Sequence, residues 1–174
     1  MKAPVDLVGE RLVAFLPNLR RFAISLCRAR DVADDLVQQT CERALAAAAS
    51  FDPETRFDAW VFRILRNLWL DQLRRAKTAG PAVDIADIPE PAIPSGEEAS
   101  EARMALARVE AALQKLAPEQ REVLVLVCIE DLSYRDAAEV LEIPIGTVMS
   151  RLARARKALS ELTGINPEPR RSTP

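Results

Sequence analysis

The sequence predicts an all-α protein of two small helical domains joined by a flexible linker, the C-terminal one a helix-turn-helix. The chain has 174 residues with 5 glycines, and most of its 12 prolines lie in two segments, so long stretches are free to form helices. Apolar residues recur with a helical period on both sides of a proline-rich centre, and strand-like alternation is nearly absent. Hydrophobic residues make up 49% of the chain, which is enough to form a core.

The composition excludes several kinds of site. The chain has no histidine, so imidazole acid-base chemistry, Ser-His or Cys-His nucleophiles and mixed Cys/His zinc sites are excluded. Its three cysteines, Cys27, Cys41 and Cys128, form no CxxC pair, and we expect small buried thiols in a reducing cytoplasm. We therefore expect no catalytic residue, no metal, no cofactor and no small-molecule substrate.

Hydropathy and charge narrow the class of protein further. The longest apolar run, Val123–Ile129, has seven residues, whereas a membrane span needs roughly eighteen or more. Because Met1–Pro4 does not open a signal peptide, we expect a cytoplasmic protein without membrane insertion. The 24 basic and 26 acidic residues and a pI near 5.4 argue against a simple basic nucleic-acid coat, for which a domain pI above ~9 is usual.

The proline-rich centre divides the chain. Residues 76–98 contain four prolines, five acids and one base, a composition typical of an acidic, semi-extended linker. Residues 166–174 have the composition of a disordered tail. The predicted domains are therefore residues 1–75 and 99–165.

The first informative helix of the N-terminal domain is predicted to run from Asp31 to about Ala48, with Asp31 and Asp34 as a capping box. Its apolar side is predicted to be buried and comprises Ala33, Leu36, Val37, Thr40 and Ala44. The opposite side carries acids and amides: Asp35, Gln38, Gln39 and Glu42. An ordinary solvated face is one interpretation, and a docking surface for a basic partner helix is the other.

A second helix is predicted from a capping box of Thr55 with Asp58 to about Arg75, after an irregular loop at 51–54. Its buried stripe comprises Phe57, Val61, Ile64, Leu65 and Leu68. Its other side carries Arg63, Arg66, Asn67 and Arg74. Guanidinium groups beside an amide are the mixture that a nucleic-acid surface needs, although a polar helix face is usually only solvated.

Three aromatic residues, Trp60, Phe62 and Trp69, lie off the centre of this apolar stripe. Core packing is their first interpretation, and stacking on single-stranded bases is the alternative.

The C-terminal domain has the pattern of a helix-turn-helix. Pro118 suits the first turn of a helix whose buried length is Val123–Val127. Ser133 and Asp136 are predicted to cap a short helix, residues 134–141, and residues 142–144 break it before a last helix at 145–162. The residues spaced to pack this corner are Ala137, Ala138, Leu141, Ile143, Val148 and Leu152.

The last helix presents a basic surface. Residues 151–157 carry four positive charges and no negative charge. A basic run is usually a solvated face, but the tight turn before it favours entry into the major groove of DNA. The side chains presented are Met149, Ser150, Arg151, Arg154, Arg156 and Lys157.

Three quoted segments resemble one known family. Residues 132–159, LSYRDAAEVLEIPIGTVMSRLARARKAL, are similar to the second domain of bacterial sigma factors, and more narrowly to the extracytoplasmic-function group of the sigma-70 family. Residues 34–40, DDLVQQT, and 57–75, FDAWVFRILRNLWLDQLRR, resemble the first domain of that group. The resemblance implies a promoter-specificity subunit that binds core RNA polymerase and promoter DNA, has no chemistry of its own and is regulated by an anti-sigma factor.

The resemblance also implies roles for individual residues. The motif that docks on the polymerase's largest subunit is matched by Asp34, Asp35, Gln38 and Gln39. The loop and helix that capture and read the melted downstream (-10) element are matched by Phe51, Asp52, Glu54, Arg56, Arg63, Arg66, Asn67, Asp71 and Arg74. Contacts to the upstream (-35) element are expected from Arg135, Thr147, Met149, Ser150, Arg151, Arg154, Arg156 and Lys157.

The sequence departs from the family's pattern at two positions. Met149 stands where relatives commonly carry Lys or Arg, which favours apolar contact with a thymine methyl. Glu142 stands in the turn where Gly is common, and it is strained if the turn needs a positive φ.

Two other functions fit the same patterns. A stand-alone repressor would use only the helix-turn-helix and would dimerise through the N-terminal domain. A helical adaptor would leave both basic faces solvated. The linker favours two-site binding, because 23 residues reach roughly 75 Å at ~3.3 Å per residue, and two turns of duplex span about 70 Å.

Overall fold

The computed structural model describes residues 4–78 and 101–164, and both ranges are helical, which confirms the predicted fold class. The N-terminal module contains α1 (Pro4–Cys27), α2 (Arg30–Ala46) and α3 (Phe57–Thr78). The C-terminal module contains α4 (Glu101–Lys115), α5 (Pro118–Leu124), α6 (Tyr134–Leu141) and α7 (Ile145–Thr163). α3 extends three residues into the predicted linker. The rest of that linker and the predicted tail lie outside the described residues.

Aromatic packing forms the centre of the N-terminal module. Phe62 is fully buried, and its ring centroid lies 5.1 Å from those of both Phe15 and Phe22. These edge-to-face contacts join α1 to α3 and add to the burial of apolar area. Phe62 is therefore a core residue, as its first interpretation predicted. Trp60 and Trp69 are half-buried and pack against the same core.

The predicted capping box at the start of α2 is wrong. The residue that precedes the helix is Ala29, and it makes no side-chain cap hydrogen bond. The carboxylate of Asp34 is instead occupied by Arg20 of α1, 2.7 Å away. The helix also ends at Ala46, two residues earlier than predicted, and a short 3-10 turn at Ala48–Ser50 follows it. The predicted buried side of α2 is confirmed for Ala33, Leu36, Thr40 and Ala44. Val37 is only partly buried.

The capping box predicted before α3 is also wrong. The Thr55 hydroxyl donates to the carbonyl of Asp52 at 2.7 Å, within the preceding loop. The Asp58 carboxylate accepts hydrogen bonds from the Arg56 side chain and from the Ala59 N–H. Both side chains therefore have local partners other than each other.

α5 continues into a π-helical turn that the sequence pattern did not predict. Pro118 occupies the first turn, as expected. After Leu124 the chain forms one wider turn, Val125–Ile129, and the N–H of Glu130 donates to the carbonyl of Val125 at 2.9 Å. This i to i−5 bond inserts one extra residue into the turn.

The helix-turn-helix forms as predicted. The Asp136 N–H donates to the Ser133 hydroxyl at 3.0 Å, and the Ser133 N–H donates back to the Asp136 carboxylate at 3.3 Å. α6 ends at Leu141, and the residue that caps it, Glu142, has a left-handed backbone with φ 52° and ψ 44°. The turn therefore does require a positive φ from a non-glycine residue, at a cost of roughly 1 kcal/mol. Val148 and Leu152 of α7 are buried in the corner.

The two modules pack against each other. α3 contacts α6, and α1 contacts α5, so one continuous hydrophobic core includes residues of both. Arg121 of α5 is 2% exposed and donates to the carbonyls of Ser25 in α1 and Leu116 in its own module. Burial lowers the pKa of Arg121 to about 10, so the side chain stays charged at neutral pH. The module interface therefore contains ionised groups as well as apolar ones.

Candidate nucleic-acid and partner interfaces

The polar face of α2 is open to solvent. Asp34, Asp35, Gln38 and Gln39 are all exposed. The hydrogen bond from Arg20 lowers the pKa of Asp34, so this carboxyl is ionised at neutral pH. The Gln38 amide donates to Glu42 at 3.0 Å. These contacts stay within the N-terminal module and leave the face accessible to a partner.

The loop before α3 divides into a buried anchor and an exposed polar turn. Phe51 is 8% exposed, and its ring lies 4.7 Å from that of Trp60 and 5.7 Å from that of Phe57. The exposed Asp52 carboxylate accepts the N–H of Glu54 at 2.9 Å, which orders the turn. Phe51 therefore anchors the loop to the aromatic core, and the rest of the loop presents polar side chains and backbone to solvent.

Arg56, at the end of this loop, is bound by carboxylates from both modules. Its Nε donates to Asp58 at 3.1 Å, and its Nη1 donates to Asp136 of α6 at 2.8 Å. Asp136 is 80 residues further along the chain. The same Asp136 closes the capping box of α6, so the contact joins the start of α3 to the start of the helix-turn-helix.

The polar face of α3 is only partly exposed. Arg63 and Arg74 are exposed, whereas Asn67 and Asp71 are half-buried. Arg74 pairs with Asp71 at 2.7 Å, one turn apart. The helical spacing of these residues puts them on one side of α3, as predicted.

Arg66 lies on the same side of α3 but is nearly covered. Its Nε is 3.3 Å from the carboxylate of Glu122 in α5, and both side chains are only 12% exposed. Burial raises the pKa of Glu122, and the charges of Arg66, Arg151 and Arg121 partly oppose that effect. Glu122 therefore faces arginines from both predicted DNA surfaces, Arg66 of α3 and Arg151 of α7.

The face of α7 is largely open to solvent. Met149 is 52% exposed, and Ser150, Arg154 and Lys157 of α7 are exposed, as is Arg135 of α6. The partly buried members of the predicted set are Thr147, Arg151 and Arg156. Arg156 lies 3.6 Å from the Cys128 sulfur. Most of the predicted upstream-element residues are thus accessible.

Sequence reasoning missed the polar cluster that joins α1 to the C-terminal module. The Glu130 carboxylate accepts two hydrogen bonds from Arg21, at 2.9 and 3.1 Å, and one from Asn18, at 2.6 Å. The side chain of Glu130 is fully buried. Since Arg21 lies 109 residues earlier, no local pattern indicates this pairing.

In residues 4–78 and 101–164, no three Cys, Asp or Glu side chains come together in a way that suits a metal ion. Among the helices of those ranges, none has the length and apolar content required to cross a bilayer.

Two family models match the chain. Sigma-70 region 2 matches residues 12–78, which span most of α1 and all of α2 and α3. Sigma-70 region 4 matches residues 106–159, which include α5, α6 and most of α7.

Curated relatives match nearly the whole chain. The ECF RNA polymerase sigma factor EcfG of Rhodopseudomonas palustris is 41% identical over 157 residues, covering 90% of this chain and 85% of the relative. The ECF RNA polymerase sigma factor SigM of Mycobacterium tuberculosis is 37% identical over 147 residues, covering 84% of this chain and 72% of the relative.

Two solved structures of sigma factors in complex with a second protein are similar to this chain over most of its length. The sigma factor RpoE in complex with the anti-sigma factor NepR, from Bartonella quintana, has a TM-score of 0.76 and 37% identity, covering 91% of this chain and 97% of that one. CnrH in complex with the cytosolic domain of CnrY has a TM-score of 0.63 and 33% identity, covering 89% and 86%.

Proposed function

The chain belongs to the extracytoplasmic-function (ECF) sigma factors of the sigma-70 family, and we propose from that premise a division of promoter recognition between its two modules. As an ECF sigma factor it binds core RNA polymerase and directs promoter recognition and transcription initiation. The observation that carries this function is the match to region 2 and then region 4, in chain order, on two separate helical modules.

The α2 face is the proposed docking surface for core polymerase. Its two carboxylates and two amides are exposed, and Asp34 is held ionised by Arg20. Such a face suits a basic partner helix, because each group can accept a hydrogen bond or pair with a positive charge. We assign this role to Asp34, Asp35, Gln38 and Gln39.

The loop before α3 and the polar side of α3 are the proposed reader of the melted downstream element. The turn at Asp52–Glu54 presents polar groups over a platform of Phe51, Phe57 and Trp60, which keeps the turn rigid. Asn67 supplies an amide for a base edge, and the arginines supply phosphate contacts. The full proposed set is Phe51, Asp52, Glu54, Arg56, Arg63, Arg66, Asn67, Asp71 and Arg74, with Phe51 acting as support.

α7 is the proposed reader of the upstream element in the major groove. Its first turns present Met149 and Ser150, and the later turns present Arg154 and Lys157. This order places an apolar and a hydroxyl side chain at base edges and cations at phosphates. Arg135, Thr147, Arg151 and Arg156 complete the proposed set.

The proposal includes regulation and location. The chain would act in the cytoplasm, where its polymerase partner is, and would leave catalysis to the polymerase. An anti-sigma factor is the proposed regulator, because two structures at 37% and 33% identity are complexes of a sigma factor with NepR and of CnrH with CnrY.

Reconstitution with core RNA polymerase tests the function. Purified full-length chain and core polymerase are incubated with a genomic library, and new transcript starts are mapped, with core polymerase alone as the control. We expect starts that depend on the chain and share two sequence elements about two helical turns apart. A two-fold symmetric site bound without polymerase would instead indicate a repressor. Absence of both DNA binding and polymerase association would indicate an adaptor.

A further inference from the structure

The loop that the proposed function assigns to the downstream element has little positive charge of its own. Residues 51–56 contain two acids, Asp52 and Glu54, and one base, Arg56. Both acids are exposed, and the guanidinium of Arg56 already pairs with Asp58, to which its Nε donates at 3.1 Å. A DNA strand that meets this loop therefore faces more negative than positive charge. Because DNA affinity depends on neutralised phosphates, the loop needs a cation from another element.

Arg11 of α1 places a guanidinium at the base of this loop. Its Cζ lies 4.3 Å from the ring centroid of Phe57 and 5.6 Å from that of Phe51. Both distances are within the roughly 6 Å of a cation–π contact. Phe51 is the first residue of the loop and Phe57 is the first residue of α3, so this one cation contacts both ends of the loop. Attraction to the rings, and not a hydrogen bond, holds the guanidinium there.

The hydrogen-bond donors of Arg11 have no acceptor in the part of the chain that the structure describes. Within residues 4–78 and 101–164, its side chain donates to no carbonyl and pairs with no carboxylate. The side chain is exposed, whereas the rings beneath it are buried, Phe57 at 5% and Phe51 at 8% exposure. A guanidinium presents five N–H donors in a fixed fork that matches a phosphate. Arg11 is therefore an anchored cation with open donors beside the loop.

Two arginines of α3 make the position of Arg11 more distinctive. Arg74 pairs with Asp71 at 2.7 Å, so a phosphate that binds Arg74 competes with that carboxylate. Arg63 is exposed, but it lies six residues beyond Phe57, about 9 Å along the helix at 1.5 Å per residue. A phosphate at Arg11 displaces only water and lies next to the loop itself.

We propose that Arg11 binds a backbone phosphate of the single DNA strand that the 51–56 loop receives, so that the reader of the downstream element includes a residue of α1. The inference rests on the proposed function and adds a contact to it. Phe51 and Phe57 position the guanidinium, and its charge offsets the exposed carboxylates of the loop. The sequence pattern of α1 gives no sign of this role, because the rings that hold Arg11 lie at least 40 residues later.

A matched pair of variants tests the charge of Arg11. Arg11→Lys keeps a cation over the rings, and Arg11→Met keeps an unbranched chain there without the charge. Each full-length protein is titrated with a random-sequence single-stranded oligonucleotide at several low salt concentrations. We expect Arg11→Met to bind about tenfold more weakly, with a salt slope lower by about 0.7 for the one lost phosphate contact. Arg11→Lys should keep the slope, as should Arg108→Ala, which removes an exposed arginine of α4.

A phosphate scan with the holoenzyme locates the contact. A forked duplex from a promoter found in the reconstitution is made with one neutral methylphosphonate at a time in the melted strand. At the contacted phosphate, the neutral linkage should weaken wild type about tenfold and leave Arg11→Met unchanged, because the two changes remove the same interaction. At every other phosphate the two holoenzymes should lose affinity equally. Their affinity for core polymerase should also be equal, which separates a phosphate from a polymerase carboxylate as the partner.

The outcomes separate the inference from the proposed function. Equal salt slopes for wild type and Arg11→Met, or equal losses at every phosphate, would overturn the contact. Weaker binding by both Arg11→Lys and Arg11→Met with an unchanged slope would show that Arg11 only supports the loop. Should Arg11→Met lose helical circular dichroism, Arg11→Gln takes its place. A chain that supports no transcription but binds the oligonucleotide through the charge of Arg11 would refute the proposed function alone. Normal transcription with wild-type binding by Arg11→Met would refute the contact alone.

Discussion

The polar faces of α2 and α3 both combine charged and amide side chains, acidic on α2 and basic on α3, but they differ in exposure to solvent. On α2, Asp35 and Gln38 are exposed, and the face is bordered only by its own module. On α3, Arg66 is 12% exposed and is paired with a carboxylate of the other module. A polar helix face can thus be free to bind another molecule, or it can already be paired with another part of the same chain. Sequence alone cannot distinguish the two, because the internal partner lies far away in the chain.

The largest effect should come from removing the internal partner on α3. Arg66→Ala leaves the Glu122 carboxylate nearly buried without its pair, and we expect a loss of about 3 kcal/mol in the free energy of unfolding, measured by urea denaturation. Arg63→Ala is the matched control on the same helix. Since Arg63 is exposed, Arg63→Ala should change the free energy of unfolding by no more than about 0.5 kcal/mol. Equal losses for both variants would contradict the contrast between covered and open positions.

The next effect should come from the open face of α2. Asp35→Ala should weaken association with core polymerase about tenfold, because a charged group of the docking surface is lost. The free energy of unfolding should stay within about 0.5 kcal/mol, since Asp35 is exposed. Glu139→Ala, which removes an exposed carboxylate of α6, controls for net charge and should leave polymerase affinity unchanged. A similar loss in both variants would indicate a general charge effect.

A smaller effect is expected on α7. Arg154→Ala should lower the salt slope of promoter binding by about 1 with little change in sequence preference, because an exposed phosphate contact is lost. The measurement is holoenzyme affinity at several salt concentrations. Arg108→Ala, an exposed arginine of α4 outside the proposed surfaces, should leave the slope unchanged. No change in either variant would remove the phosphate role of Arg154.

The smallest effect is a pH dependence centred on Glu122. Burial raises the pKa of this carboxyl above its ordinary value, so the folded chain is destabilised by the ionised form at neutral pH. As the pH falls through the raised pKa, the folded state takes up a proton first, and wild type gains stability relative to Glu122→Gln. Urea denaturation of both proteins between pH 7 and pH 4 measures this difference. A difference that does not shrink as the pH falls would contradict the assignment.

The local features of the fold were the predictable ones. The capping box of Ser133 with Asp136, the first-turn position of Pro118 and the break at Glu142 all depend on residues a few positions apart, and all three were confirmed. The departure from the family's common Gly at Glu142 left open whether the turn needs a positive φ, and the structure gives Glu142 a φ of 52°.

The predictions that failed did so because another partner was closer in space. Asp34 was predicted to cap α2, but the guanidinium of Arg20 takes its carboxylate. The predicted box of Thr55 with Asp58 does not form, because the Thr55 hydroxyl donates to the carbonyl of Asp52, a local partner three residues earlier. The ion pair of Arg21 with Glu130 spans 109 residues and has no signature of period or spacing. Long-range pairing is therefore the part of the candidate sites that the sequence did not reveal.

The wide turn after α5 has a consequence for how the chain tolerates change in length. Because the turn at Val125–Ile129 holds one residue more than an α-helical turn would, deleting a single residue there would let the helix run on regularly. Each residue of an α-helix turns the chain by roughly 100°, so Glu130 would swing away from Arg21. A one-codon deletion in this turn would thus break the ion pair of Arg21 with Glu130, which joins α1 to the C-terminal module.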